Sequence, residues 1–200
     1  MARTTDPERA RARRAAIRDA AAVLFATKGF DATTAADIAR AAGISAGSVF
    51  YWFPDKQAVF REIFVQDLAD SHAIVARHAD VADPLEAVLG MVDELGGPAR
   101  DPHAGALVIE LLRRLGHDGE LTTIVTESTD VVHRGLTELV RRGRSDGVFA
   151  SDLDPAEAAG WVQTVVDGAF LSADPSRDPV PMLRRIVTAF LTSTPGGATR

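Results

Sequence analysis

Two hundred residues, 46% of them hydrophobic and 25% charged, suffice for a real core, built as one large domain or as a small one joined to a larger one. Ordinary apolar content and a net charge of −6 exclude global disorder, and the absence of cysteine excludes disulfides, thiolate metal sites and thiol redox chemistry, which fits a cytoplasmic protein. No run approaches the roughly 18 consecutive apolar residues of a membrane span, and MARTTDPERARARR is not followed by a signal-peptide apolar region, so the chain is expected neither to cross a membrane nor to be exported.

Periodicity is helical nearly throughout. From Arg9 to Lys28 the apolar positions Ile17, Ala20, Ala21, Leu24 and Phe25 recur every three or four residues, with Gly29 as the C-terminal stop. Two short helices are expected between Thr34 and Phe53, separated by Gly43-Ile44-Ser45. Pro54-Asp55 then opens a longer amphipathic helix carrying Val59, Phe60, Ile63, Phe64 and Leu68. Asp83-Pro84 reads as an N-cap with proline at the first helical position, for a helix ending near Gly96-Gly97. GGPARDP reads as a loop, Asp101-Pro102 as the start of a helix to Leu115, and Gly116 to Gly119 as another loop. A long helix is expected over Leu121 to Arg142, and two more after Asp154-Pro155 (to Phe170) and after Asp178 to Pro181 (to Leu191). No run reads as a strand, so the fold class is all-α.

Ala35 to Trp52 meets the requirements of a helix-turn-helix. Ile38 faces the core, Ala39 is small where the second helix crosses, and Gly43 supplies a left-handed turn. Ile44 plugs the turn from inside, Ser45 caps the second helix, and Thr34 with Asp37 forms a capping box for the first. The acidic balance of the whole chain argues mildly against nucleic acid, but it averages two unlike parts. Residues 1–60 hold nine basic and six acidic side chains, net +3, whereas residues 61–200 hold 13 and 22, net −9.

These features sit inside a longer pattern. Ala20 to Phe25 with its Ala-Ala-x-x-Leu-Phe, Gly29, Thr33-Thr34, Ile38-Ala39, Ala42-Gly43-Ile44-Ser45, and Gly47 to Phe53 followed by Lys56 together resemble the DNA-binding domain of the TetR family of transcriptional regulators, across Arg11 to Phe64. The resemblance implies a helix-turn-helix DNA-binding domain over residues 1–54, a helical ligand-binding and dimerisation domain over 55–194, and a disordered tail over 195–200.

It also implies roles. Phe50 stands where the family most often has a phosphate-touching tyrosine, which makes Tyr51 the better candidate for that contact, and Lys56 matches a lysine that meets a phosphate. Thr34 and Ser45 lie at helix N-termini, where free amides favour phosphate oxygens. Base reading falls to the exposed side of Ala46, Gly47, Ser48 and Trp52, with a thymine methyl against Ala46 and one hydroxyl contact from Ser48. Shape readout and an arginine-rich arm at Arg9 to Arg14, with Arg11 and Arg14 as named contacts, complete the set.

For the ligand pocket the candidates are His72, Met91, Glu94, Leu107, Glu110, Leu111, Glu127 and His133; each of the three glutamates reads first as a surface residue, and would meet a cationic ligand only if its carboxylate faces the helical interior. The last two helices are the candidate dimer surface, pairing with their symmetry mates through Val162, Val166, Phe170, Leu183, Ile186 and Phe190; alternatively they only close the monomer's own core. His117, Asp118 and Glu120 share a loop and include donors for a cation, but the cluster reads as a solvated turn, so no metal site is assigned.

No phosphate-binding loop, dinucleotide glycine pattern, His-Glu-x-x-His or nucleophile elbow is present, and no enzyme activity or cofactor is implied. The reading is therefore a ligand-responsive repressor that binds a palindromic operator as a homodimer and is released by a small-molecule effector. The alternative is a helical small-molecule-binding protein with weakened or lost DNA binding, which Phe50 favours and Gly43, Ser45 and Lys56 oppose.

Overall fold

The computed structural model describes residues 7–172 and 176–193. Within them the regular elements are helices: α1 (Pro7–Lys28), α2 (Ala35–Ala41), α3 (Ala46–Trp52), α4 (Lys56–Ala79), α5 (Pro84–Gly96), α6 (Ala104–Arg114), α7 (Gly119–Ser145), α8 (Pro155–Leu171) and α9 (Val180–Thr192). The fold is all-α, with a helix-turn-helix near its N-terminal end and a helical bundle in its C-terminal part. Among the described residues no helix is long and apolar enough to cross a membrane. The tail expected over 195–200 lies outside the described residues.

Local chemistry sets the ends of these helices. Asp83 and Asp154 each accept two backbone amides at the head of α5 and α8, with proline following, and Gly29 leaves α1 at φ 84°, a conformation that residues with a Cβ rarely adopt. Two expectations need correction. Residues Arg9 to Arg14 are not an arm but belong to the first turns of α1. GGPARDP is not a plain loop, because Gly97–Arg100 forms a 3₁₀ turn directly after α5.

The helices group into two compact units. One holds residues up to Asp67 together with Ala106–Ile124; the other holds Leu68–Gly105 and the chain from Val125 onward. The first unit therefore extends beyond residue 54, and its packing shows why. Phe60 of α4 lies 5.2 Å from Phe25 of α1 and 5.4 Å from Phe30, centroid to centroid, and Ile17, Ile38, Val49, Phe53 and Val59 are buried around them.

The second unit is built on α5, which buries Ala87, Val88, Met91 and Val92 against Leu136 and Val140 of α7, Val162 and Val166 of α8, and Leu183, Val187 and Leu191 of α9. Val162, Val166 and Leu183 are thus core residues of the monomer, which corrects their assignment to a dimer surface. Facing outward instead are Trp161 and Leu171 on α8, and Met182, Ile186 and Phe190 on α9. Helical spacing explains the difference: a wide apolar face has one edge toward its own core and another toward solvent.

Close approach is tightest where α7 meets the turn after it. A Cβ on Gly143 would stand 2.2 Å from the Phe149 ring, far inside van der Waals contact. Gly143→Ala is accordingly expected to lower unfolding free energy by about 1–3 kcal/mol, read from the urea midpoint; an unchanged midpoint would contradict this packing.

Candidate nucleic-acid interface

The turn between α2 and α3 is assembled from side chain to backbone. Thr34 Oγ1 accepts the Asp37 amide at 3.1 Å and the Thr34 amide donates to Asp37 Oδ2 at 3.0 Å, completing the capping box. Lys28, hydrogen-bonded to Asp37, and the hydroxyl and amide of Thr34 hold the Asp37 carboxyl well below the usual carboxylate range. Gly43 turns the chain at φ 64°, and the Ile44 amide then donates to the Ala39 carbonyl at 2.9 Å, while the Ile44 side chain is only half-buried. Ser45 Oγ accepts the Ser48 amide at 3.3 Å and lies 2.7 Å from Ser48 Oγ.

With Val49 and Phe53 buried, α3 turns Ala46, Gly47, Phe50 and Tyr51 outward; Phe50 is 56% and Tyr51 73% exposed. Trp52 is half-buried, its ring 4.9 Å from Tyr51 in an edge-to-face arrangement. Arg11 stands exposed on the first turns of α1. Apart from Lys56, the expected contact residues thus lie on α3 and its N-cap Ser45, at the N-cap of α2 (Thr34), or on the opening turns of α1.

Arg14 and Lys56 have other employment. Arg14 donates through Nε and Nη2 to Glu62 at 3.0 and 2.7 Å and through Nη1 to the Trp52 carbonyl at 2.9 Å, with its guanidinium 4.3 Å from the Phe53 ring centroid. It is a brace for the C-terminal end of α3, because the last carbonyls of a helix lack intrahelical partners. Lys56 Nζ contacts the carbonyls of Phe30, Asp31 and Thr33 at 2.7, 3.3 and 2.9 Å, which uses the three donors of an ammonium and leaves none for the expected phosphate contact. Burial pushes its pKa below the ordinary lysine value.

Phe30 is the centre of this arrangement. Its ring lies between Lys56 Nζ at 4.3 Å and the Arg114 guanidinium at 3.6 Å, and its amide donates to Glu110 Oε2 at 3.1 Å. Glu110 is 9% exposed and its other oxygen accepts from Arg113 at 2.6 Å. The carboxylate expected to meet a cationic ligand instead fastens α6 to the corner between α1 and α2. Arg61 makes a second fastening, reaching Asp118 Oδ1 and Oδ2 at 3.0 and 2.9 Å and Glu120 at 2.6 Å. These contacts occupy both carboxylates of the loop considered for a cation, and among the described residues no group of three His, Cys, Asp or Glu is placed to hold a metal ion.

The expected pocket residues do not form one group. Leu107, Glu110 and Leu111 belong to the first unit; His72, Met91, Glu94, Glu127 and His133 belong to the second. Met91 is sealed in the core, His72 and Glu127 are exposed, and His133 is half-buried near Gly160. Glu94 is paired with Arg77 and with His78 Nε2 at 2.8 Å; the Arg77 hydrogen bond, then that of His78, hold its pKa below the usual value against burial. The second unit also carries an open groove of about 960 Å³ between α8 and α9, bordered by Val165, Gly168 and Ser172 on one side and by Met182, Leu183 and Ile186 on the other.

Comparison with known proteins gives consistent matches. Residues 17–63 match the family described as bacterial regulatory proteins, tetR family, and residues 84–195 match the BetI-type transcriptional repressor C-terminal family. The HTH-type transcriptional repressor KstR2 of Rhodococcus jostii (strain RHA1) is 34% identical over 148 residues, covering 71% of this chain and 70% of that protein. Among solved structures, the TetR family regulator PfmR of Thermus thermophilus superposes with a TM-score of 0.76 at 23% identity over 92% of this chain and 99% of that one. The fatty acid degradation regulator FadR of Bacillus halodurans does so at 0.74 and 21% identity, over 94% and 97%. The last two likenesses concern the fold.

Two outcomes test the corrected roles. Lys56→Ala is expected to destabilise the protein without DNA, by about 1–3 kcal/mol for the backbone acceptors left unpaired. A lysine that serves only phosphate would leave the thermal unfolding curve in place. For Asp118, burial raises the pKa, but the hydrogen bonds from Arg61 and the Leu121 amide outweigh it and the carboxyl is held low. Its contribution to stability is thus present above the ordinary aspartate value of about 3.9 and lost as pH falls through the lower folded value. Denaturant titrations at descending pH should show a steeper loss below about pH 5 in the native chain than in Arg61→Met.

Proposed function

The chain belongs to the tetR family of bacterial regulatory proteins, and from that membership we propose that it is a repressor that binds a palindromic operator as a homodimer and leaves it when a small-molecule effector binds. It is a transcriptional regulator and not an enzyme. The observation that carries the finer reading is α3: a capped, braced helix whose outward residues the fold does not use. A helix so presented suits the major groove, with exposed Arg11 available for phosphates and with Arg40 at the end of α2, whose side chain is 79% exposed although it also meets Asp37 at 3.4 Å.

Dimerisation is supported by the corrected face of α8 and α9. Trp161, Leu171, Met182, Ile186 and Phe190 form an exposed apolar surface along two neighbouring helices, and the groove beside them offers room for side chains of a symmetry mate. Two copies would set their α3 helices for half-sites about 34–36 Å apart. An effector that favours another dimer geometry would oppose DNA, and DNA would oppose it equally. Within the first unit, α6 is fitted to relay such a change, because Glu110 and Arg114 grip Phe30 at the entrance to α2.

Electrophoretic mobility shift with the DNA upstream of the protein's own gene tests the reading, and the absence of any low-salt complex would favour a small-molecule-binding protein without an operator. Ile186→Glu is expected to yield a helical monomer by sedimentation, with operator affinity reduced about 100-fold or more, since a single half-site supplies only part of the specific contacts. A dimer of unchanged affinity would place the interface elsewhere.

A further inference from the structure

The outward surface of α3 has an unusual chemistry for a reading helix. Strong, bidentate discrimination of base edges relies on guanidinium, ammonium, amide or carboxylate groups, whereas a single hydroxyl can meet either donor or acceptor edges and discriminates little. Ala46, Gly47, Phe50 and Tyr51 carry none of them. The hydroxyl expected to help, on Ser48, is half-buried and shares a 2.7 Å hydrogen bond with Ser45 Oγ, the oxygen that also caps the helix. Thr34 Oγ1 is held in the same manner by Asp37 Oδ2 at 2.8 Å. The cations of this helix-turn-helix region are paired within the protein, Arg14 to Glu62 and the Trp52 carbonyl, Lys56 to three carbonyls, and Lys28 and Arg40 to Asp37; of these Arg40 alone has a mostly exposed side chain, and it lies on α2, not on α3. Outward from α3 there remains one phenol, on Tyr51, beside an apolar strip.

That strip has a definite form. Ala46 and Phe50 are four residues apart and so share one line along the helix, with Gly47 and Tyr51 on the adjacent line. A Cβ on Gly47 would meet nothing within 4 Å, so the glycine is not required by packing inside the protein; its effect is to lower the surface of the helix between Ala46 and Phe50. Phe50 is 56% exposed although apolar. In the major groove the apolar feature that distinguishes one base pair from the others is the C5-methyl group of thymine.

We infer that α3 reads thymine methyl groups, with the Phe50 ring and the Ala46 Cβ as the specificity-determining contacts and the Gly47 gap admitting the base edge between them. The inference rests on the operator-binding reading above and deepens it. Sequence preference then comes from apolar contact, while phosphate contacts supply position and most of the salt dependence.

The test begins by enriching duplexes bound by the full chain from random-sequence DNA, then replacing each thymine of the enriched site, one at a time, with deoxyuridine, which removes the methyl group alone. One or two positions per half-site are expected to lose about three- to fivefold in affinity, the size of burying a single methyl, with the slope of affinity against salt unchanged. Phe50→Ser, at an exposed position that leaves the helical circular dichroism in place, is expected to bind the thymine and deoxyuridine duplexes equally at one of the sensitive positions, the thymine facing Phe50, while any position read by Ala46 keeps its preference. Native protein that binds every deoxyuridine duplex as tightly as the parent overturns methyl reading; a Phe50→Ser variant that discriminates at every sensitive position as the native protein does overturns the assignment to Phe50. Failure to enrich any duplex overturns the operator-binding reading itself, a separable result.

Discussion

Between Gly29 and Thr33 the chain leaves one helix and enters the next against the apolar packing of its own domain, and its backbone polar groups there have no helical ladder to satisfy them. Glu110 takes the Phe30 amide, Lys56 takes three carbonyls, and the Thr33 hydroxyl donates to the Gly29 carbonyl at 2.7 Å. The Phe30 ring, fixed by this backbone, packs on Phe25 and Phe60 with cations on its faces. Buried polar groups left without partners are costly, so this corner requires charged residues from α4 and α6 at defined positions. The placement of α2, and of α3 after it, follows from that requirement.

Charge in this protein consequently has two uses that composition does not separate. The net +3 of residues 1–60 suggests a basic head, yet Arg14, Lys28 and Lys56 are held by groups of the protein itself. Arg18 is likewise paired with Asp19 and Gln66, and Arg40 with Asp37, while Arg9, Arg11 and Arg13 stand exposed on the first turns of α1 and α3 carries no charge. The formal net charge of a segment therefore overstates the charge its surface offers to a partner.

Features written in neighbouring residues were legible in advance. The capping box at Thr34 and Asp37, the left-handed Gly43, the Ser45 cap and the Asp-Pro helix starts each involve side chains within a few positions of the backbone they satisfy. Contacts between distant positions were not: Arg14 and Glu62 are 48 residues apart, Phe30 and Glu110 are 80, and nothing local marks either pair. The α8 and α9 faces show a third limit. Periodicity picked out Val162 and Val166 on α8 and passed over Trp161 and Leu171, and it could not say that the first pair points to the monomer core while the second points away, because a stripe wider than one contact line serves both directions.

The two tryptophans of the chain fall on the two surfaces at issue, Trp52 at the end of α3 and Trp161 on the outward side of α8. The single tyrosine, Tyr51, lies within energy-transfer range of the first, at 4.9 Å between ring centroids. Intrinsic fluorescence is therefore already divided between the first unit and the second, and replacing either indole by phenylalanine isolates an optical signal from one of them. With no cysteine to compete, a thiol-directed dye can be added at any chosen exposed position, so that motion of the head and association of the bundle can be followed separately in one sample.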